Sequence, residues 1–194
     1  ACGCCRCSVP TGVAARHYRL AVGGSQLANG QLIPGALEAL ACLSSLPFYI
    51  VLITNQSAIG RGILTMDQAA AIHRRLVMEI KTHGGRIDGI YYCPHHPDVG
   101  CECRKPKPGL LYQAAQDLKL DLARSYLIGD AVSDIEVALA AGCRPILVLT
   151  GRGREQHAVL RQCGFDIPVV RDLAAAVTLI QTEQEAIPST DPQQ

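Results

Sequence analysis

The chain has 194 residues and a formal net charge of +1, enough length for one domain with a substantial buried core. Its near-neutral balance excludes bulk electrostatic attraction to nucleic acid or anionic membrane as the basis of function. Tryptophan is absent, six tyrosines and two phenylalanines are the only other large aromatics, and no apolar run reaches the roughly 20 residues of a membrane span, which argues against base-stacking platforms and membrane crossing. No signal peptide is legible, so the expectation is a soluble, cytoplasmic protein, monomeric, acting on a small molecule rather than on nucleic acid or membrane.

Residues 1–31 stand apart. They contain no aspartate or glutamate and no apolar run long enough to suggest a buried strand. Ala1-Cys-Gly-Cys-Cys-Arg-Cys7 looks like a metal knuckle, but no histidine or second cysteine pair follows at finger-like spacing, so an irregular end is the expectation. From Leu32 the pattern becomes orderly, and 32–185 reads as one domain. Pro34 precedes leucines at 37, 40 and 43, which predicts an amphipathic helix. Phe48-Tyr-Ile-Val-Leu-Ile-Thr54 is an apolar, β-branched run, as in a strand buried on both faces. A polar loop, Asn55–Gly62, follows, and Thr65-Met-Asp-Gln68 has the form of a capping box that opens a helix running to Gly84-Gly85.

Ile87–Tyr92 predicts the next strand, Pro108–Leu118 a helix, and Ser125–Ile128 a strand closed by Gly129-Asp130. Ser133 is placed to cap a helix over Asp134–Ala141. Pro145–Thr150 predicts a strand, Gly151-Arg-Gly153 a turn, Glu155–Gln162 a helix, Ile167–Val170 a strand, and an alanine-rich helix comes last. Residues 186–194 have the composition of a disordered tail. Strands alternating with helices imply an α/β fold with a doubly wound, Rossmann-like parallel sheet, and in such sheets ligands bind beyond the carboxyl ends of the strands.

One loop dominates the sequence. Between Cys93 and Gly109, prolines at 94, 97, 106 and 108 forbid a continuous helix or central strand. Cys93 and His95 are separated by one residue, as are Cys101 and Cys103, and five residues separate the pairs. Three thiols and an imidazole suit tetrahedral zinc; unliganded loop thiols or a disulfide are the alternatives. Cys42, Cys143 and Cys163 lie in apolar or element-end settings, where a reduced cysteine behaves as a small hydrophobe.

The other polar strand ends are candidates for chemistry. Thr54 and Asn55 close a buried strand, where a hydroxyl and the following backbone N–H groups can cradle phosphate or simply terminate the strand. Lys105, fixed between the knuckle and Pro106, could counter a phosphate charge or be a solvated loop lysine. Asp130 and Asp134, four apart across a strand-to-helix junction, could hold magnesium, although Asp134 could equally be a first-turn residue favoured by the helix dipole.

Thr54-Asn-Gln-Ser57, Cys93-Pro-His-His-Pro97, Cys101-Glu-Cys-Arg-Lys-Pro106 and Gly129-Asp-Ala-Val-Ser-Asp134 occur in an order that closely resembles the haloacid-dehalogenase-like phosphatases. Within them the resemblance is to the D-glycero-D-manno-heptose 1,7-bisphosphate 7-phosphatases and the related histidinol-phosphate phosphatases, over about residues 32–173. It implies phosphate removal from a sugar bisphosphate through an aspartyl-phosphate, with Mg2+ and a structural Zn2+. By the same resemblance Thr54 and Asn55 hydrogen-bond the transferred phosphoryl group, Lys105 offsets charge on phosphate and nucleophile, and Asp130 is a magnesium ligand with Asp134 behind it. Cys93, His95, Cys101 and Cys103 match the zinc ligands, His96 being the competing choice, and Arg61 and Arg104 would contact the sugar phosphate. Ala131 departs from relatives that carry lysine at this position.

A larger departure lies upstream. The family reaction requires an Asp-x-Asp pair at the end of a central first strand, one carboxylate attacking phosphorus and the other serving as acid and base. Glu38 is the only acidic residue before Asp67, so neither carboxylate is present, and the strand that should carry them is expected to be degraded or missing. An altered N-terminal reading frame or gene start, a non-catalytic binding protein, or another nucleophile such as Cys7 or Ser8 would each account for this. The chain as written is expected to be inactive.

Overall fold

The computed structural model describes residues 18–23, 27–28 and 31–186. The cysteine-rich start, Cys7 and Ser8 lie outside the described residues, as does 187–194 of the expected tail. Six parallel strands form the central sheet in the order β5-β4-β1-β6-β7-β8: β1 Tyr18–Gly23, β4 Phe48–Asn55, β5 Gly89–Cys93, β6 Ser125–Gly129, β7 Arg144–Val148 and β8 Val169–Val170. A two-stranded antiparallel pair, β2 Leu27–Ala28 and β3 Gln31–Leu32, follows β1.

The expectation of a missing first strand is corrected here. β1 lies at the centre of the sheet, inside the segment that reads as anomalous. It pairs with β4 from Tyr18↔Phe48 to Gly23↔Ile53, and with β6 from Arg19↔Ser125 to Val22↔Ile128. Tyr-Arg-Leu-Ala-Val-Gly is a short run with an arginine at its second position, so hydropathy alone does not mark it. Two parallel neighbours define it as a strand, an interaction that is non-local in sequence. The strand still carries no acidic residue.

Helices cover both faces. The strands alternate with period two, yet both phases are apolar, which is what burial on two sides demands. Phe48, Ile50, Tyr126, Ile128, Ile146 and Val148 face α1 (Ala36–Ser44), α3 (Met66–Thr82) and α7 (Leu173–Ala186), meeting Leu40, Leu43, Leu76, Ile80, Val177 and Ile180. Val51, Ile53 and Leu127 face the other way, onto α4 (Gly109–Leu118) and α5 (Val132–Ala140) through Leu110, Leu111, Ala114 and Val137. Leu147 packs with Ile135 of α5 and Leu160 of α6 (Gly153–Gln162), and a single turn, α2 (Ser57–Gly60), follows β4. The capping box at Thr65 forms as read, with Oγ1 accepting from Gln68 N–H at 3.1 Å and Gln68 Oε1 accepting from Thr65 N–H at 2.8 Å. Ser133 is not the cap of α5. The helix begins two residues earlier than expected, at Val132 with Ala131 as its N-cap, and Asp134 bonds back to the N–H of Ala131 from within the first turn.

This order places β1 where the winding reverses: the chain passes from β1 outward through β4 and β5, then returns to β6 on the other side. The crevice at such a switch point lies between the carboxyl ends of the flanking strands, here Thr54–Asn55 of β4 and Gly129–Asp130 after β6. No helix among the described residues is long and apolar enough to cross a membrane.

His73 of α3 is buried edge-on against the Tyr92 ring, centroids 4.9 Å apart, and burial lowers its pKa from 6.5. Between the lowered folded-state value and 6.5 the unfolded chain binds more protons, so stability must fall as pH drops through this range. Urea midpoints of zinc-loaded protein between pH 7.5 and 5.5 should fall more steeply for wild type than for His73→Gln. Parallel slopes would exclude His73 as the source.

Candidate functional site

Three loops converge at the switch point. Lys105 is buried at 7% exposure, and its Nζ donates to the carbonyl of Ile53 at 3.1 Å and to Asp134 Oδ1 at 2.5 Å. Asp134 is 2% exposed, and its second oxygen accepts the N–H groups of Asp130 and Ala131, both at 3.2 Å. One carboxylate therefore joins the lysine of the proline-rich loop to the turn between β6 and α5. It is both a first-turn residue, as its position suggested, and the ion-pair partner of Lys105.

Asp130 points elsewhere. Its Oδ2 accepts the backbone N–H of Arg152 at 3.0 Å, while its Oδ1 is buried with no hydrogen-bond partner. A buried, unsatisfied carboxylate oxygen is costly unless something binds it. A hard oxygen donor in that position fits magnesium, so Asp130 could hold the cation the sequence suggested. Gly151 makes the approach possible: its φ is +59°, and a Cβ there would lie 2.3 Å from Asp130 Oδ2. The turn 151–153 therefore belongs to the site, which the sequence reading missed. Two glycines flanking an arginine just beyond a buried strand were the available signal.

Asn55 clamps the proline-rich loop by its amide, Nδ2 donating to Lys105 O at 3.2 Å and Oδ1 accepting Lys105 N–H at 3.1 Å. Its side chain thus positions Lys105, while Thr54 is buried beside it. Arg61 is exposed just after α2. Arg104 is partly buried, and its Nη1 is enclosed without a hydrogen-bond partner. α2 packs tightly on the proline-rich loop, since a Cβ on Gly60 would meet the His96 nitrogen at 2.2 Å.

The loop brings Cys93, His95, Cys101 and Cys103 together, one donor atom from each lying within 4.8 Å of the others. Cys93 Sγ is 3.4 Å from Cys101 Sγ and 3.6 Å from His95 Nδ1, and Cys103 Sγ is 3.4 Å from Cys101 Sγ and 3.2 Å from His95 Nδ1. Tetrahedral zinc with bonds of about 2.3 Å has ligand–ligand edges of about 3.7 Å, so the donor set and spacing fit that ion. His96 turns away to Asp98, its Nδ1 accepting the Asp98 N–H at 3.3 Å. Burial raises the Cys101 thiol, but hydrogen bonds from Cys103 and Cys93 and from the N–H groups of Arg104 and Cys103 bring it down to about 7. Burial, and hydrogen bonds with Cys93 and Cys101, push Cys103 up to about 12. Such a split favours ionisation of Cys101 over Cys103, and a bound cation would favour the ionised form of both.

Fold and site together are those of the haloacid-dehalogenase type, and the family model described as HAD-hydrolase-like matches residues 102–176, from the proline-rich loop into α7. The D-glycero-β-D-manno-heptose-1,7-bisphosphate 7-phosphatase of Pseudomonas aeruginosa is 40% identical over 152 residues, 76% of this chain and 82% of that protein. The protein of the same name from Bordetella bronchiseptica is 40% identical over 153 residues, 78% and 84% of the two chains. A crystal structure of D,D-heptose 1,7-bisphosphate phosphatase from B. bronchiseptica, complexed with magnesium and phosphate, superposes with a TM-score of 0.78 at 34% identity, covering 85% of this chain and 98% of that one. The chain belongs to the haloacid-dehalogenase-like phosphatases, in the heptose-1,7-bisphosphate 7-phosphatase family.

Elemental analysis of protein purified in metal-free buffer should find about one zinc per chain, lost in Cys101→Ser; unchanged metal content in that variant would reject the ligand set. Lys105→Met strands a buried carboxylate and should cost about 3–5 kcal/mol in urea unfolding. Adding Asp134→Asn should return part of that loss, whereas additive losses would show that the two side chains are not energetically coupled.

Proposed function

We propose that the scaffold binds a phosphorylated sugar, D-glycero-D-manno-heptose 1,7-bisphosphate, with the 7-phosphate in the crevice between β4 and β6. The observation that carries this reading is the orphaned Oδ1 of Asp130, placed at the switch point of a sheet whose relatives bear that substrate's name. Thr54 and the N–H groups beyond it hold the phosphoryl oxygens. Lys105, kept in place by Asn55 and Asp134, supplies positive charge behind them. Asp130 would hold magnesium, which when bound neutralises charge on the phosphate. Cys93, His95, Cys101 and Cys103 would hold zinc, whose part is to fix the course of the loop between Cys93 and Lys105. Arg61 and Arg104 face the remainder of the sugar phosphate. The protein acts in the cytoplasm as a monomer.

Hydrolysis is a separate matter. The family chemistry requires a carboxylate to attack phosphorus, and the chain has no acidic residue before Glu38. Removing a covalent nucleophile costs on the order of 10⁶ in turnover in the subtilisin comparison. The chain as written therefore retains the phosphate cradle without the nucleophile, a zinc-stabilised sugar-phosphate binding protein in its present form. Histidinol phosphate is the second candidate substrate.

Two proteins test this: the chain as written, and a chimera in which residues 1–31 are replaced by the corresponding segment of the B. bronchiseptica relative. The first should bind the heptose bisphosphate in magnesium without releasing phosphate, and the chimera should release it. Rapid phosphate release by the unaltered chain would overturn the account of the missing nucleophile. Failure of both proteins to bind would overturn the substrate assignment.

A further inference from the structure

The charges of the crevice are unevenly matched. Lys105 is paired with Asp134 at 2.5 Å, so its charge is already engaged by a carboxylate. Asp130 has no comparable partner. The cation paired with it is Arg152, whose Nε lies 3.9 Å from Oδ2, beyond hydrogen-bonding distance. Ala131, the residue after Asp130, is buried and uncharged. A phosphate dianion entering beside Asp130 must meet additional positive charge, and neither Lys105 nor Ala131 supplies it freely.

Arg152 is held at its root and free at its tip. Its backbone N–H is bound to Asp130, and the Gly151 conformation brings the turn against the same oxygen. Its side chain is 60% exposed. Arg152 is also the N-cap of the ten-residue helix α6, so the local backbone field favours an anion at this point. The buried, unpartnered Oδ1 of Asp130 independently marks the same place as one where a ligand is expected.

We propose that Arg152 is a phosphate-binding residue of this site. With a cation on Asp130 Oδ1, the guanidinium leaves its loose contact with Oδ2 and pairs with non-bridging oxygens of the phosphate held toward Thr54 and Asn55. β4 and β6 flank β1, so their ends stand about 10 Å apart by ordinary strand spacing, a gap that a phosphate and its counter-charges fill. A planar guanidinium can take two phosphate oxygens at once, which gives orientation as well as charge. Giving up a solvent-exposed contact at 3.9 Å costs little.

The inference rests on the phosphate reading of the crevice, and the test separates the two. Inorganic phosphate is titrated calorimetrically into the zinc-loaded full chain with saturating magnesium, using wild type, Arg152→Ala, Arg152→Lys and Asp130→Asn. Arg152→Ala should weaken phosphate binding about tenfold with an unchanged thermal midpoint, and Arg152→Lys, which keeps the charge but not the two-point contact, should recover only part of that loss. Asp130→Asn should remove the magnesium dependence. If Arg152→Ala binds as wild type does while Asp130→Asn does not, the role of Arg152 is overturned and the crevice reading stands. If wild type binds no phosphate, or Asp130→Asn changes nothing, the crevice reading fails and the role of Arg152 fails with it.

Discussion

The arrangement depends on one buried carboxylate. Asp134 accepts a hydrogen bond from each of three groups: Lys105 Nζ, Asp130 N–H and Ala131 N–H. A buried ammonium and a buried carboxylate are each expensive, and the pair persists because each satisfies the other's hydrogen-bonding capacity. The lysine arrives from the proline-rich loop, downstream of its single 3-10 turn at Pro97–Val99, and the carboxylate from the first turn of a helix. Their union fixes that loop to the sheet at the point where the winding reverses. Asp130 is left with one oxygen engaged by the Arg152 N–H and the other buried without a hydrogen-bond partner.

Much of this was legible in the chain because it is written in short-range chemistry. Phe48–Thr54 announces a doubly buried strand, Thr65–Gln68 a capping box, and the two Cys/His pairs a metal loop, each by local pattern. The sequence preferred His95 over His96, and the structure groups His95 with the three thiols while His96 bonds Asp98. Three features could not be read locally. β1 is defined by its neighbours across the sheet rather than by its own hydropathy. The grip of Asn55 on Lys105 spans fifty residues of sequence. Arg152 reads as part of a glycine turn until the fold brings it against Asp130.

The sheet and the chemistry have different requirements, and here they diverge. A central strand needs only backbone complementarity and tolerable side chains, and Tyr18–Gly23 meets that need. The family reaction calls for a nucleophilic carboxylate at the end of that strand. An N-terminal segment can therefore keep the architecture of the family while losing the group on which its turnover depends. In the proposed reading, phosphate recognition draws on β4, the proline-rich loop, the β6–α5 turn and the turn before α6, all downstream of the segment that lacks the carboxylates.

Cys93 belongs to two systems at once. It is the last residue of β5 and wholly buried in the cluster formed by Val51, Ile53, Leu111 and Leu127, with Cys101 and Cys103 packed against it. The thiols that would take the metal are thus part of the wall of one hydrophobic layer. Ion affinity and fold stability become a single linked equilibrium, because whatever holds the thiols together also seals that layer. Zinc supply would then govern how much of the protein survives in a cell: under scarcity the layer would loosen at β5, exposing apolar surface and oxidisable sulfur to quality control.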